Sequence, residues 1–192
     1  MQLHEKIWWT RKSRIHTEKR LLSNDIHTQI ILLWYAFFSV AVSIYYLVKA
    51  SNSDIAPGIW VILSVFSLVA SSYVSALNLK GRAALIKECY ERLDTLYHIA
   101  KSESNNKEKL ETLQREYNEI LGLCENHSDF DYRSARCEMH FSGRKDLDPE
   151  ISKYDIAIWI LHHLRRTLLL LGIYLSPPVI LLYLEAANVC AK

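Results

Sequence analysis

The chain has 192 residues, half of them hydrophobic, and a formal net charge of +2. A charge so close to neutral excludes the broad basic field that draws nucleic acid to a protein, so we expect no nucleic-acid partner. The apolar residues are concentrated in long blocks, which indicates an all-α integral membrane protein with the lipid bilayer as its first partner.

Residues 1–25 are predicted to form a basic amphipathic helix. Apolar side chains recur there among six cations, Lys6, Arg11, Lys12, Arg14, Lys19 and Arg20. Such a helix suits the membrane surface, with Trp8 and Trp9 at the level of the lipid headgroups. A helix that packs on the cytosolic region described below would show the same pattern, and the sequence leaves both arrangements open.

Residues 26–80 are predicted to form a transmembrane helical hairpin. Its two spans, 30–48 and 59–79, contain no charged residue, and each is close to the length of about 20 residues that crosses a bilayer. The break between them carries Asn52, Asp54, Pro57 and Gly58, which are residues typical of a turn.

The cations around this hairpin predict its orientation. They precede the first span and follow the second, whereas the connecting loop has only Lys49, which Asp54 offsets. By the positive-inside rule, both ends of the hairpin face the cytoplasm. We therefore expect a multi-pass protein of the bacterial inner membrane with a cytoplasmic N-terminus.

Serines form a small, weakly polar stripe on each span. They are Ser39 and Ser43 in the first span, and Ser64, Ser67, Ser71 and Ser75 in the second. One interpretation is close helix packing, within the hairpin or within a homo-oligomer, and the other is a hydroxyl-lined path for water. Because neither span contains Asp, Glu, Lys or Arg, a proton relay or a coupled transporter is disfavoured.

Residues 81–155 are predicted to form a cytosolic helical region that continues from the second span. Two segments with apolar residues at helical spacing are joined by a polar turn at 102–107, which indicates an antiparallel helical hairpin. The first segment has Leu85, Ile86, Cys89, Leu93, Leu96, Tyr97 and Ala100. The second has Leu110, Leu113, Tyr117, Ile120 and Cys124.

An irregular stretch, 125–132, follows, and near it lie two Cys/His pairs. Cys124 with His127 and Cys137 with His140 could in principle hold tetrahedral zinc. Zinc fingers usually present two cysteines and then two histidines, and some of these positions fall on predicted helices. We therefore expect no metal and no cofactor, with reduced thiols and with His127 hydrogen-bonded to Asp129 or Asp131.

Residues 156–192 return to apolar sequence after Arg165 and Arg166. The uncharged stretch 167–184 predicts a possible third span at about 167–187, interrupted by Gly172 and by the pair Pro177-Pro178. Because the proline pair should kink this helix, an interfacial helix, a re-entrant helix or a helix buried in an oligomer are the alternatives.

Several of these segments together resemble the SLATT family of two-transmembrane effectors from bacterial conflict systems. They are Trp8-Trp-Thr-Arg-Lys-Ser-Arg-Ile15, Glu18-Lys-Arg-Leu21, Leu85-Ile-Lys-Glu-Cys-Tyr-Glu-Arg-Leu-Asp-Thr-Leu-Tyr97, Glu125-Asn-His-Ser and Asp131-Tyr132. The resemblance implies a homo-oligomeric, pore-forming effector of antiviral defence that permeabilises the inner membrane and causes abortive infection. It also implies a triggering partner, which is a nucleotide-second-messenger synthase, a retron or a nucleotide sensor.

The sequence shows no motif typical of an enzyme. It has five glycines, no Gly-rich phosphate loop, and no nucleophile with a recognisable base. We therefore expect no catalytic residues. The alternative to an effector is a membrane-anchored binding or sensor module, in which the hairpin only tethers the cytosolic helices.

Overall fold

The computed structural model describes residues 2–49, 55–103, 106–143 and 151–190. Within these ranges the chain forms six helices and no strand, which confirms the all-α prediction: α1 (Leu3–Lys49), α2 (Ile55–Ala76), α3 (Leu79–Ser102), α4 (Lys107–Leu123), α5 (Asp129–Phe141) and α6 (Lys153–Cys190). Part of the predicted break between the two spans, with Asn52 and Asp54, lies outside the described residues.

The chain divides into two compact units. The polar unit consists of Met1–Asn24 and Leu79–His162, and the membrane unit consists of Asp25–Asn78 and His163–Lys192. Two helices, α1 and α6, contribute residues to both units, so each unit is built from pieces that are distant in sequence.

The core of the polar unit is the antiparallel hairpin of α3 and α4, as the apolar spacing predicts. Its buried residues are Cys89, Leu93, Leu96, Ala100, Leu113, Tyr117 and Ile120. Burying one such large apolar side chain contributes about 1.5–3 kcal/mol, so this seam is the main source of stability for the unit. Leu85 departs from the prediction because it is 53% exposed.

The first part of α1 packs on this hairpin. Ile7 lies in the same core and is fully buried, and Leu21 is buried with Ala83 and Ile86 of α3. Trp9 is also buried. Of the two arrangements open for residues 1–25, packing on the helical hairpin is therefore the one that the structure shows.

A break separates α2 from α3, whereas the sequence predicted one helix running on from the second span. The first of these helices ends at Ala76, the second begins at Leu79, and Asn78 between them has a φ of 45°. Asparagine adopts this left-handed conformation more readily than most other non-glycine residues, so it ends the helix at little cost.

The start of α5 lies inside the stretch that was predicted to be irregular. The Ser128 hydroxyl accepts a hydrogen bond from the Asp131 backbone N–H, and the Asp131 carboxylate accepts one from the Ser128 N–H. This capping box satisfies two backbone donors at the start of the helix. The helix therefore begins at Asp129, inside the stretch 125–132 that was predicted to be irregular.

The membrane unit is apolar on its outside, as a protein solvated by lipid must be. Leu33, Leu47 and Val48 are 72%, 78% and 81% exposed, while Trp60 is fully buried between the helices. Among the described residues, three helical stretches are long and apolar enough to cross a membrane, namely Leu3–Val48, Gly58–Ser102 and Lys153–Ala187. The third shows that the predicted C-terminal segment is one continuous helix through both prolines.

Candidate functional site

A cleft between α1 and α2 brings part of the predicted serine stripe together. Its volume is about 430 Å³, and it is lined by Gln29, Leu32, Leu33, Ala36, Ser64, Ser67, Leu68 and Ser71. Ser67 is 5% exposed, so it lies deep between the two helices. Ser39 is fully buried, while Ser75 is exposed and is not among the residues that line the cleft.

The serine hydroxyls donate to carbonyls of their own helices. Ser67 Oγ donates to Leu63 O at 2.9 Å, and Ser64 Oγ donates to Val61 O at 2.7 Å. The hydroxyl protons of Ser64 and Ser67 therefore have acceptors within α2 and need no partner from the other helix, which makes these two serines compatible with lipid. The hydroxyl oxygens keep their lone pairs, so the cleft can offer hydrogen-bond acceptors to water.

A buried carboxylate organises the polar unit. Asp131 is 1% exposed and accepts hydrogen bonds from Arg20 Nε and Nη2, both at 2.9 Å, and from Thr17 Oγ1 at 3.0 Å. It also accepts from the backbone N–H and the hydroxyl of Ser128. Burial alone would raise the pKa of Asp131, but the hydrogen bonds from Arg20 and Ser128 outweigh it and hold this pKa below its usual value.

A buried cation lies at the C-terminal end of α4. Arg14 is fully buried, and it donates from Nη1 to Ile120 O at 3.3 Å and from Nη2 to Leu121 O at 3.2 Å. A cation is favourable there because the last carbonyls of a helix carry partial negative charge. Arg14 thus fastens α1 to the end of the α3–α4 hairpin.

Aromatic residues complete the contact between α1 and the rest of the polar unit. Trp9 meets the edge of Tyr132 with ring centroids 5.8 Å apart, and Thr10 Oγ1 lies 2.8 Å from Tyr117 Oη. The basic segment at 8–21 and the segment at 125–132 carried the family resemblance separately. In the structure they form one interface within the polar unit.

His127 does not form the hydrogen bond predicted for it. Its Nδ1 atom is buried and has no hydrogen-bond partner among the described residues, while Asp131 is occupied by Arg20, Thr17 and Ser128. Burial lowers the pKa of His127, and the nearby Arg14 cation lowers it further. Both effects favour the neutral form of the ring.

The four residues considered for zinc do not form a cluster. In the described part of the chain, no group of three or more His, Cys, Asp or Glu side chains is arranged to hold a metal ion. Burial and the neighbouring Cys89 thiol raise the pKa of Cys124 to about 12, and burial raises the pKa of Cys137. Both shifts favour the neutral thiol over the thiolate. His140 lies on the last turn of α5, where its ring meets Phe141.

The sequence did not single out Thr17, Arg20, Ser128 or Asp131 as members of one site. The Ser-x-x-Asp spacing was a readable sign of a capped helix, and Thr17 and Arg20 stand one helical turn apart on α1. Their pairing with Asp131 spans 114 and 111 positions of sequence. A pairing between such distant residues has no local signature.

Comparison with known protein families identifies a match. The sequence model of the family described as "SMODS and SLOG-associating 2TM effector domain family 5" matches residues 1–184. No curated protein and no solved structure matches the chain. The match covers both units and therefore extends well beyond the two helices of the predicted hairpin.

Proposed function

The chain belongs to the SLATT family of two-transmembrane effector domains, and from this premise we propose that it permeabilises the bacterial inner membrane in answer to infection. It acts as a homo-oligomer with a cytoplasmic N-terminus, has no catalytic step, and causes abortive infection. The triggering partner is a nucleotide-second-messenger synthase, a nucleotide sensor or a retron, and the SMODS and SLOG association named in the family description supports the synthase.

The structural observation that carries this proposal is the serine-lined cleft between α1 and α2. Three serines and Gln29 place polar groups among the apolar residues of the cleft, and the spans of the hairpin carry no charge that a coupled transporter could use. Water can wet such a surface when copies meet, while single copies remain stable in lipid.

A single copy of the protein cannot enclose the proposed water path. Val42, Tyr46 and Trp60 fill the space between its helices, and Leu181 and Leu184 of α6 pack on them. A helix with its side chains is about 10 Å across, so three helices around a filled core leave no channel. The path must form between copies, which makes the oligomer the active species.

The competing function is a tether, in which the membrane unit only holds the polar unit at the membrane. Inducible expression in cells loaded with a membrane-potential dye separates the two functions. An effector depolarises the cells and stops growth as its abundance rises. A tether leaves the potential and the growth unchanged at the same abundance, and that result would overturn the proposal.

A further inference from the structure

Two adjacent prolines lie inside α6, where each removes one backbone hydrogen bond. Pro177 and Pro178 have no N–H, so the carbonyls four residues earlier, Ile173 O and Tyr174 O, lose their helical donors. In lipid no water replaces the lost donors, and each unsatisfied carbonyl costs several kcal/mol. A helix with this pair can cross a membrane only if another group supplies the two bonds.

The membrane part of α1 supplies a donor to each of these two carbonyls. Trp34 Nε1 donates to Tyr174 O at 3.1 Å, and Tyr35 Oη donates to Ile173 O at 2.9 Å. Ser176 Oγ also donates to Ile173 O at 2.8 Å and contacts the Tyr35 hydroxyl. The freed carbonyl of Tyr174 thus depends on Trp34, whereas that of Ile173 has two donors.

Contacts further along the two helices agree with this register. His27 Nδ1 lies 3.2 Å from Tyr174 Oη, on the N-terminal side of the two bonds. Beyond them, Leu181 and Leu184 pack against the core of Val42, Tyr46 and Trp60. Residue numbers rise together in α1 and α6, so the two helices run parallel.

We propose that Trp34, Tyr35, Pro177 and Pro178 form a clamp that makes α6 a third membrane span and holds the membrane unit in its resting state. The parallel direction requires α6 to enter the membrane from the same side as α1. Arg165 and Arg166 directly precede its apolar stretch, which places that end in the cytoplasm by the positive-inside rule. Residue 190 then lies on the periplasmic side.

The second half of this inference rests on the proposed function. Each bond between membrane helices changes a folding equilibrium by only about threefold to thirtyfold, so the clamp is strong enough to favour one state and weak enough to open. Opening it separates α6 from the α1 face that carries Trp34 and Tyr35. That face is then free for another copy.

A double-mutant cycle tests the clamp directly. Trp34→Phe removes the donor, and Pro178→Ala restores an N–H that can bond Tyr174 O within α6. In the natural background Trp34→Phe should lower the folded-to-unfolded ratio by about threefold to thirtyfold more than it does beside Pro178→Ala. The full chain in mild detergent is unfolded with sodium dodecyl sulfate and followed by fluorescence.

The cycle subtracts the packing that the smaller ring loses, because this loss is the same in both backgrounds. Tyr73→Phe is the matched control, since it removes an exposed hydroxyl from α2 and should leave the ratio unchanged. Equal losses from Trp34→Phe with and without Pro178 would overturn the clamp. A larger loss beside Pro178 supports it.

Labelling tests the third span without using any activity. In a chain with Cys89, Cys124 and Cys137 replaced by alanine, the natural Cys190 should react with a membrane-impermeant maleimide in intact cells with an opened outer membrane. Reaction only after the inner membrane is broken would overturn the third span.

The resting-state role is tested by measuring depolarisation of cells as a function of the abundance of each variant in the membrane. Trp34→Phe should depolarise cells at lower abundance than the natural chain does, and adding Pro178→Ala should reverse this change. Unchanged leakage together with a positive cycle would overturn the gating role and leave the clamp. If no variant depolarises cells, the proposed function fails and the gating role fails with it, whereas the cycle and the labelling still decide the clamp.

Discussion

Asp131 connects α5 to α1 within the polar unit through one carboxylate. It caps α5 through Ser128 and holds α1 through Thr17 and Arg20. Both of its oxygens accept hydrogen bonds and Arg20 supplies the counter-charge, which are the conditions under which a buried charge is tolerated. Removing the carboxylate leaves the buried side of Arg20 without its counter-charge.

Asp131→Ala should therefore destabilise α5 and its contact with α1 by about 3–5 kcal/mol, the usual cost of breaking a buried ion pair. Hydrogen exchange of the α5 amides, followed by mass spectrometry, measures this loss. Asp129→Ala is the matched control, because Asp129 is exposed on the first turn of the same helix. It should cost at most about 1 kcal/mol, and an equal effect of the two changes would contradict the role of Asp131.

His127 makes the polar unit sensitive to acid. Its pKa in the folded chain is lowered from 6.5 by burial and by Arg14, so the folded state binds the proton less tightly than the unfolded state does. Well above pH 6.5 His127 is neutral in both states and adds no pH dependence to the stability. Below it stability falls, by at most about 1.4 kcal/mol per pH unit for one proton, until the pH passes the folded pKa.

His127→Asn should reduce the loss of stability between pH 7.5 and pH 5.5. Burial also lowers the pKa of His16 in the folded chain, so part of the loss remains in this variant. Hydrogen exchange of α4 and α5, corrected for the intrinsic effect of pH, measures the difference. An identical loss in the variant and in the natural chain would show that His127 is not the titrating group.

At the scale of helices, the apolar pattern predicted where helices lie more accurately than it predicted where they end. It identified the two spans of the hairpin and the α3–α4 seam, because both depend on periodicities of a few residues. It did not identify the break at Asn78, since a single left-handed residue leaves an uncharged run unchanged.

The continuity of α6 could not be predicted for a different reason. A proline pair in a local sequence indicates a kinked or broken helix, and here the compensating donor is Trp34, which is 140 positions away from Tyr174. Likewise, the sequence placed six serines in stripes but could not tell that only Ser64, Ser67 and Ser71 line the cleft.

This subset sharpens the test of the serine stripe. Replacing Ser64, Ser67 and Ser71 together by leucine should fill and dry the cleft, so depolarisation should fall at unchanged membrane abundance. The matched control replaces Ser72 and Ser75 by leucine, because both serines are exposed in the same helix and do not line the cleft. Equal loss of depolarisation in both variants, or unchanged leakage from the fully expressed triple variant, would remove the cleft from the water path.

At the scale of the whole molecule, the proposed function requires that the protein has one orientation in the membrane, with its N-terminus in the cytoplasm. In a chain without its natural cysteines, a cysteine at position 52 should react with an impermeant maleimide in intact cells with an opened outer membrane. A cysteine replacing Asn118, which is exposed on α4, should stay unreactive until the inner membrane is broken. The reverse pattern would contradict the cytoplasmic N-terminus.

The central claim is that several copies together open a path that one copy cannot. Dye release from liposomes with increasing protein-to-lipid ratio tests it most directly, with crosslinking of the same samples to count subunits. We expect the release rate to rise more steeply than in proportion to protein density and to follow the crosslinked multimers. Release strictly proportional to density from a monomeric species, or no release where multimers dominate, would contradict the account.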